Sequence, residues 1–483
     1  MIDGLKPYPE YRDSGSKWLG KAPSRWEAVP LGRLLVQRIE QNRPVKTKDI
    51  LSLSLRQGVI PYSEKKSGGN KAKDDLTAYT LAYPGDIVLN SMNVVVGSVG
   101  LSKYFGAVSP VYYVLHARSA NHSIHYFDRL FQDKTFQQSL WGLGNGIMFL
   151  QSKTTGKFNT IRMRIPMHAL RRVVIPCPPS EEQAAIVRFL DHSNGRIDRA
   201  IRAKRRLIGL LNEQKQAIIH RAVTRGLDPT VHLKPSGIPW LGDIPEHWEV
   251  ISLRMRYSVE LGKMLDSKLF TGRHSTPYLR NRDVQWDKIL VKDLPTMDIP
   301  PDQIPRYTVR SGDLLVCEGG QVGRCAFWES QLPLCGFQKA LHRVRAQNPA
   351  RDFPRFFFYQ MHLAAGRGVF AADGNENTIA HLTCEKLRRH RFVFPPLQEQ
   401  KQIANQLDAE LDQIQLAISR TEREIRLLRE YRTRLVADVV TGKLDVRDAA
   451  RQLPETPVSP ERGAEAQDSP QPEEAELEPM DAQ

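Results

Sequence analysis

The sequence has few cysteines and no long apolar run. Its five cysteines are an odd number with irregular spacing, and they form no Cys-x-x-Cys pair and no His-Cys cluster. We therefore interpret them as reduced, mostly buried thiols and predict no metal site. No stretch approaches the roughly 18 apolar residues of a membrane span, and Met1 leads into polar, proline-rich sequence instead of a signal peptide. These absences predict a cytoplasmic protein with no membrane partner.

Motifs of nucleotide and methyl-transfer chemistry are also missing. The chain has no Gly-x4-Gly-Lys-[Ser/Thr] phosphate loop, no Asn-Pro-Pro-aromatic sequence, and no pair of acids and lysine arranged as in a metal nuclease. The close glycines of Gly142–Gly146 follow helical sequence rather than a strand, which argues against a dinucleotide site. We predict no catalytic residue, no metal and no cofactor on this chain.

Positive charge is in excess. The formal net charge is +15, yet residues 454–483 carry nine acidic residues against Arg462 alone, which leaves +23 on residues 1–453. A body this basic indicates a polyanionic partner such as nucleic acid, although an ordinary basic surface is the alternative. The tail is rich in Pro, Glu, Ala, Ser and Gln, so we predict that it is disordered.

The chain repeats itself. Residues 14–31 and 236–253 are identical at nine of eighteen positions, with Trp-Leu-Gly, a Pro and Trp-Glu in register. A Pro-Pro-x-x-Glu-Gln motif at 178–183 recurs at 395–400, and Thr-Arg-Gly-Leu-Asp at 224–228 recurs as Thr-Gly-Lys-Leu-Asp at 441–445. The last two pairs share an offset of 217, so the segment between them has one fixed length in both halves.

The fixed segment is typical of a long helix. Two prolines precede it, acidic residues occupy its first turn, and apolar residues recur in steps of three, four and seven for about forty residues. At 1.5 Å per residue each helix would be about 63 Å long, too long to bury its apolar stripe in one small domain. We predict that the two stripes bury each other as a coiled coil; packing on separate domains is the alternative. The predicted seam comprises Ile186, Leu190, Ile197, Leu211 and Ile218 with Ile403, Leu407, Ile414, Leu428 and Leu435.

The segments of variable length mix strand and helix patterns. Strand-like runs bounded by Gly and Pro are found at 85–89, 94–97, 110–115, 312–316 and 319–323, and helical sequence at 124–142 and 353–366. The predicted fold class is α+β, with two similar domains in tandem pseudo-repeat, joined by two long helices that form an antiparallel coiled coil. The predicted boundaries are residues 1–180 for the first domain, 181–223 for the central helix, 224–395 for the linker and second domain, 396–441 for the C-terminal helix, and 454–483 for the tail.

These motifs together resemble the specificity (S) subunit of type I restriction-modification systems. The resemblance rests on Trp-Leu-Gly with Pro and Trp-Glu, Gly-Asp before a strand, Pro-Pro-x-x-Glu-Gln opening a long helix, and Thr-x-Gly-Leu-Asp closing the first one. Residues 51–55, 85–93 and 109–112 are also similar to the target-recognition domains of that family. It covers nearly all of residues 5–447; Lys443 in the second closing motif departs from the pattern.

The resemblance implies a non-catalytic DNA-recognition subunit. Each variable domain would read one half of a split, asymmetric site in double-stranded DNA, and the helical pair would set the unread gap. The implied partners are two methyltransferase subunits and the restriction/translocase subunits. Cofactors would belong to those partners, with S-adenosylmethionine on the methyltransferase and ATP and Mg on the translocase.

Base reading requires polar and basic side chains that loops present to the major groove. For each candidate residue an ordinary solvated loop is the alternative. The candidates are Ser54, Arg56, Gln57, Ser91, Asn93, Lys153, Thr154, Thr155 and Lys157 in the first half, and Arg280, Asn281, Arg282, Gln321, Arg324, Asn375 and Asn377 in the second. The glycine-containing stretch 65–73 is a further candidate loop.

Other features have a structural and a functional interpretation. The basic run 196–206 either faces DNA or a partner subunit, or it is the solvated face of a coiled coil. The paired Trp18 and Trp26, and Trp240 and Trp248, are expected to be packing anchors rather than base-stacking residues. Two other functions remain open: a nuclease or methyltransferase with a divergent centre, and a repeat scaffold that binds proteins, which the basic charge disfavours.

Overall fold

The computed structural model describes residues 5–54, 57–65, 75–144, 150–151, 158–159, 164–265, 271–370 and 381–454. The chain divides into two compact units. Unit 1 comprises residues 1–205 and 422–483, and unit 2 comprises residues 206–421. No helix in these described ranges is long and apolar enough to cross a membrane.

Unit 1 is built on two four-stranded sheets. One has the antiparallel order Leu35–Arg38, Tyr112–Ala117, Ile87–Asn90, Val99–Leu101. The other has the order Gly58–Pro61, Ile50–Ser54, Gly106–Val108, Thr80–Ala82, with one parallel pair. Its remaining strands are Tyr11–Asp13, Lys21–Pro23, Glu27–Pro30, Leu150–Gln151, Phe158–Asn159 and Val174–Cys177. Its short helices are Leu31–Leu34, Ile124–Phe131, Lys134–Ser139, Met167–Leu170 and Arg447–Arg451.

Unit 2 has a four-stranded sheet whose strand order corresponds to that of the first sheet of unit 1. Its antiparallel order is Tyr257–Leu261, Leu341–Ala346, Leu314–Cys317, Cys325–Phe327. A three-stranded sheet has the order Thr296–Asp298, Ser275–Leu279, Gly336–Phe337. The other strands are Leu233–Pro235, Asp243–Pro245, Glu249–Ser252, Val284–Gln285, Lys288–Ile289 and Arg391–Phe394, and the short helices are Ile304–Tyr307, Pro354–Gly366 and Cys384–Arg389. Both units mix helix and strand, so the chain is an α+β protein.

Two long helices extend over Ser180–Arg225 and Leu397–Val440. Each has one half in each unit. In unit 1, Asp198 pairs with Arg432 and Lys204 with Glu424, so the two helices run antiparallel there. The apolar stripes lie in the cores of the units: Ile186, Leu190 and Leu435 in unit 1, and Ile403, Leu407 and Ile414 in unit 2 are buried. Ile197 is buried as well, while Leu211, Ile218 and Leu428 are partly buried.

A repeated Gly-Asp turn precedes an inner strand of the four-stranded antiparallel sheet of each unit, here called its main sheet. The strand is Ile87–Asn90 in unit 1 and Leu314–Cys317 in unit 2. Gly85 and Gly312 have φ angles of 90° and 83°, a left-handed conformation that favours glycine. The following aspartates, Asp86 and Asp313, accept the backbone N–H three residues earlier, at 2.8 and 2.7 Å. Each aspartate also forms a two-bond ion pair with an arginine, Arg38 in unit 1 and Arg345 in unit 2.

Two strand predictions are wrong. Val94–Val96 forms a 3-10 helix, and residues 319–323 form turns. Both segments connect two antiparallel strands of a main sheet, and a hairpin connection has to reverse the chain whatever its strand propensity. In unit 1 the reversal starts where the Asn90 side chain accepts the Met92 N–H at 2.9 Å, and it ends at Gly97 with φ of 87°.

Candidate nucleic-acid interface

In unit 2 the structure brings two predicted loops together. Arg280–Arg282 follows the strand Ser275–Leu279, while Arg324 lies in the turn after the strand Leu314–Cys317. The Asn281 amide donates to the Gly319 carbonyl at 3.0 Å. The Arg324 guanidinium donates to both the side-chain and the backbone oxygen of Asn281, each at 3.0 Å. These bonds fasten the two loops into one surface.

Some side chains of this surface fix the loops by hydrogen bonds, and others are exposed to solvent. Asn281 and Arg324 hold the loops, and Arg280 donates two bonds to Asp283 at 2.7 and 2.9 Å. The hydrogen bond to Asp283 raises the pKa of Arg280, so its charge is permanent and already paired. The Arg282 side chain is 73% exposed and Gln321 is also exposed. Of the five predicted residues in these loops, Arg282 and Gln321 are the exposed ones.

The unit 1 candidates show the same division. The Ser91 side chain is buried and its hydroxyl donates to the Val111 carbonyl at 2.9 Å, so it fixes the loop. Asn93 is exposed at the start of the 3-10 turn. Ser54 and the exposed Gln57 lie in the turn between Ile50–Ser54 and Gly58–Pro61, where the Gln57 N–H donates to the Ser54 hydroxyl at 3.3 Å. Asn93 and Gln57 are thus the exposed candidates of this unit.

Several candidates lie outside the described residues, and their assignment stays a prediction. They are Arg56, Lys153, Thr154, Thr155, Lys157, Asn375 and Asn377, together with 66–73 of the glycine-containing stretch.

The basic run on the first long helix is mostly exposed. Arg196, Arg199, Arg202 and Arg206 are exposed, while Lys204 pairs with Glu424 of the second long helix. The exposed members add positive charge to the surface of a chain that is already basic. Exposure agrees equally with a solvated helix face and with a surface that contacts DNA or a partner.

Trp18, Trp26 and Trp248 are packing anchors, as predicted. Trp26 is fully buried and its indole N–H donates to Glu182 at 2.8 Å; Trp248 is equally buried and donates to Glu399 at 3.1 Å. Trp18 donates to the Val174 carbonyl at 2.9 Å and packs on Phe136. Such burial leaves the rings of Trp26 and Trp248 no face for a base.

Each anchor is part of a junction that occurs twice. In unit 1, Trp26 contacts the start of the first long helix at Glu182, and it also packs against Gly442, which follows the end of the second long helix. In unit 2, Trp248 contacts Glu399 at the start of the second long helix and lies beside Gly226, which follows the first. Gly226 and Gly442 have φ of 73° and 77°, so each ends its helix in a left-handed conformation. The glycine that precedes Lys443 therefore does the same work as Gly226.

Sequence reasoning missed the role of the repeated glutamine. The Gln183 side chain donates to the Pro178 carbonyl at 2.8 Å and accepts the Ser123 N–H at 2.7 Å. Gln400 does the same with the Pro395 carbonyl and the Phe353 N–H, both at 2.8 Å. The glutamine thereby links the start of a long helix to the start of the helix Ile124–Phe131 or Pro354–Gly366. Its recurrence at the 217-residue offset was the available signal.

Comparisons with known proteins find similar sequences. Residues 245–426 match the family model of the type I restriction modification DNA specificity domain. The type I restriction enzyme MjaVIII specificity subunit of Methanocaldococcus jannaschii is 24% identical over 308 residues, which are 62% of this chain and 68% of that protein. The provisionally named MjaX specificity subunit of the same archaeon is 26% identical over 289 residues, which are 58% of this chain but less than two thirds, 61%, of that protein.

A solved structure shares the fold. It is a chain from work on complex assembly and conformational transition of the type I R-M system, and it superposes with a TM-score of 0.65. The match covers 87% of this chain and 98% of that chain, at 14% sequence identity. At this identity the likeness shows the fold.

Proposed function

Because this chain is similar to type I restriction-modification specificity subunits, we propose that it belongs to their family and is the non-catalytic subunit that gives such a complex its DNA sequence specificity. It would read a bipartite, asymmetric site and direct the subunits that methylate and cleave DNA. The comparisons give no support to the alternative of a nuclease or methyltransferase.

The observation that carries this proposal is the doubled framework. The same strand order, the same Gly-Asp turn and the same Trp-Glu-Gln junction occur in both units. Two copies of one scaffold with different loops suit the reading of two different half-sites. The loops that carry Gln57 and Asn93 in unit 1, and Arg282 and Gln321 in unit 2, would supply the base contacts.

We propose in addition that the units are tandem target-recognition domains joined by an antiparallel coiled coil of the two long helices. The predicted boundaries, 1–180 and 224–395 for the domains and 181–223 and 396–441 for the helices, belong to this proposal. Burial of both apolar stripes and the antiparallel ion pairs in unit 1 support it. In this arrangement the helices would fix the length of the unread gap between half-sites.

The proposed partners are double-stranded DNA, two methyltransferase subunits and the restriction/translocase subunits, in the cytoplasm. A pseudo-repeated scaffold would offer two similar surfaces to two copies of one partner. We propose that this chain binds no cofactor, and that S-adenosylmethionine, ATP and Mg are used by those partners.

The test is to map methylated bases across the genome in cells that carry this chain with its neighbouring methyltransferase, beside cells that lack only this chain. A split motif with a fixed unread gap, lost together with the chain, is the expected result. Methylation elsewhere by an active partner, with no such motif, would contradict the proposal.

A further inference from the structure

A network of ion pairs and hydrogen bonds connects the unit 2 part of the second long helix to the helix Pro354–Gly366. The Arg355 guanidinium donates to one oxygen of Asp408 through Nε at 2.8 Å and Nη2 at 2.7 Å. The Tyr359 hydroxyl donates to the same oxygen. Asp408 belongs to the long helix, so these bonds fix the shorter helix upon it.

The same guanidinium also holds a residue of the sheet region. Arg355 Nη1 donates to one oxygen of Asp287, and Nη2 donates to the other at 2.7 Å. Asp287 is in the turn between Val284–Gln285 and Lys288–Ile289, with φ of 53°. Its neighbour Trp286 packs on His362 with ring centroids 4.7 Å apart. The turn is thus held by an ion pair and by an aromatic contact.

Arg355 is well suited to bridge two carboxylates. Its guanidinium lies 4.8 Å from the centroid of the Phe358 ring and 5.7 Å from that of Phe327. Burial lowers the pKa of Arg355, but the hydrogen bonds to Asp287 and Asp408 together raise it above its usual value. A planar, always charged fork can hold both acids at once, which a lysine ammonium cannot do in this geometry.

Among the described residues, unit 1 has the helix-to-helix part of this network and not the bridge to a turn of the sheet region. Asp191 precedes Asp408 by the repeat offset of 217 and accepts a bond from Arg129 at 2.6 Å. The other bonds of Arg129 in the described part of the chain go to Asp128 and Gln132, beside it on the same short helix and its end. The helix-to-helix bond is therefore common to both units, whereas the bridge to a sheet turn is found, within the described ranges, in unit 2.

The turn at Asp287, which Arg355 holds, is close in sequence to the exposed Arg282. Four residues separate Arg282 from Asp287. One of them, Asp283, holds Arg280 and also accepts the Leu290 N–H through its carbonyl at 2.8 Å. The hairpin is thus a short connection between the network and Arg282, and a shift of the turn would shift that side chain.

We propose that Arg355 is a positioning residue that, through Asp287, fixes the reading loops of unit 2 upon the second long helix and so restricts the unread gap to one length. This inference rests on the proposed function and adds a determinant of gap selectivity to it. The length of the unread gap then depends on this attachment as well as on the length of the two helices.

Asp287→Asn is the sharpest test, because asparagine also tolerates the left-handed conformation and Asp287 is 44% exposed. The Arg355–Asp408 pair remains in this variant. The full chain with its methyltransferase would be given plasmids in which the native half-sites, first read from the wild-type methylation map, are separated by gaps one or two base pairs shorter or longer. Methylated fraction at each gap is the readout.

We expect the ratio of methylation at altered gaps to methylation at the native gap to rise about tenfold over wild type, equivalent to about 1.4 kcal/mol. The half-site sequences should be unchanged. Arg355→Lys should give a similar rise, while Arg351→Gln, which removes an exposed pair with Glu249 in the same unit, should not.

Two results would overturn the inference in distinguishable ways. If Asp287→Asn and Arg355→Lys lower methylation equally at all gaps, the network only stabilises the fold and the proposed function stands. If the wild-type complex shows no split motif at all, the proposed function fails and the inference fails with it.

Discussion

At the scale of single residues, the two junction glutamates are equivalent in sequence but not in burial. Glu182 is buried and accepts bonds from the Trp26 indole and the Tyr8 hydroxyl. Burial and the bond to Glu182 raise the pKa of Tyr8, so it remains a donor. Glu399 is partly exposed, and its second partner, His247, is accessible to water. Removing Glu182 therefore strands more buried donors than removing Glu399.

We expect Glu182→Ala to lower the free energy of unfolding by about 3 kcal/mol and Glu399→Ala by about 1 kcal/mol, since each stranded buried group costs about 1–3 kcal/mol. Chemical denaturation of the two variants beside wild type measures this. Equal losses would show that the buried hydroxyl of Tyr8 adds nothing to the junction.

His362 predicts a dependence of stability on pH in unit 2. Burial, followed by the charge of Lys215, lowers the pKa of His362 from 6.5 to about 4. Between pH 6.5 and 4 this histidine is protonated in the unfolded chain but stays neutral in the folded chain. The free energy of unfolding therefore falls as pH falls, by about 3 kcal/mol over the whole range. Above pH 6.5 this group contributes no slope.

Unfolding measured from pH 7.5 to 4.5 should therefore be less pH-dependent in His362→Gln than in wild type. Part of the slope should remain, because burial lowers the pKa of His342 as well. His125→Gln changes an exposed histidine of unit 1 and serves as the control. An unchanged slope in His362→Gln would show that this ring is solvated in the folded chain.

Arg282 is the residue whose loss should affect recognition most directly in unit 2. If it reads a base edge, Arg282→Ala should weaken binding to the native site by about 1–3 kcal/mol and relax the preference at one base pair. Binding measured on all single-base variants of the site checks this. Uniform weakening over all variants would identify a phosphate contact instead.

The sequence could identify polar loops as candidates. It could not separate the side chains that fix a loop from those that are exposed. Ser91, Asn281 and Arg324 are the same residue types that read bases, yet their bonds to Val111, Gly319 and neighbouring loops make them part of the scaffold. Those partners are 20 to 43 residues away in the chain, and no local sequence pattern predicts them. Composition alone therefore does not separate the side chains that fix a loop from those that are exposed.

At the scale of elements, the long helices were the most predictable feature. Their period extends over forty residues, so no single substitution obscures it, and the structure has helices at Ser180–Arg225 and Leu397–Val440. The prediction of a strand at Val94–Val96 is wrong because its pattern is short and local. Three valines indicate a strand locally, but the chain must reverse there, and that need is set by strands on either side.

If the helices set the gap, their length should be a variable that experiment can change. Deleting one heptad from each helix shortens the pair by about 10 Å, or about three base pairs of duplex. We expect the methylated motif to lose its native gap, either by adopting a shorter one or by disappearing, while any remaining motif keeps both half-site sequences.

The control for this deletion keeps the length. The same heptads are replaced by different exposed residues with the apolar seam intact, and this variant should methylate the native motif. A deletion variant that still methylates at the native gap would contradict a role of helix length, whatever its activity.

At the scale of the whole molecule, charge is divided between a body of +23 and a tail of −8. Affinity for DNA of any sequence depends on the number of phosphates that basic groups neutralise, and so on salt. The acidic residues after Pro454 carry the same sign of charge as phosphate, so we expect them to compete with DNA for basic groups of the same chain. We expect removal of residues 455–483 to raise binding to non-specific DNA at low salt about tenfold, with a steeper dependence on salt.

The outcome should follow charge and not length. A chain whose tail keeps its length but carries Gln and Asn in place of Glu and Asp should bind non-specific DNA as the truncated chain does. Binding to the native site should change less, because there the base contacts add to the phosphate term and the tail opposes only the latter. If the neutral tail still weakens binding to non-specific DNA, the tail acts by occupying space. Its acidic charge would then not offset the positive charge of the body.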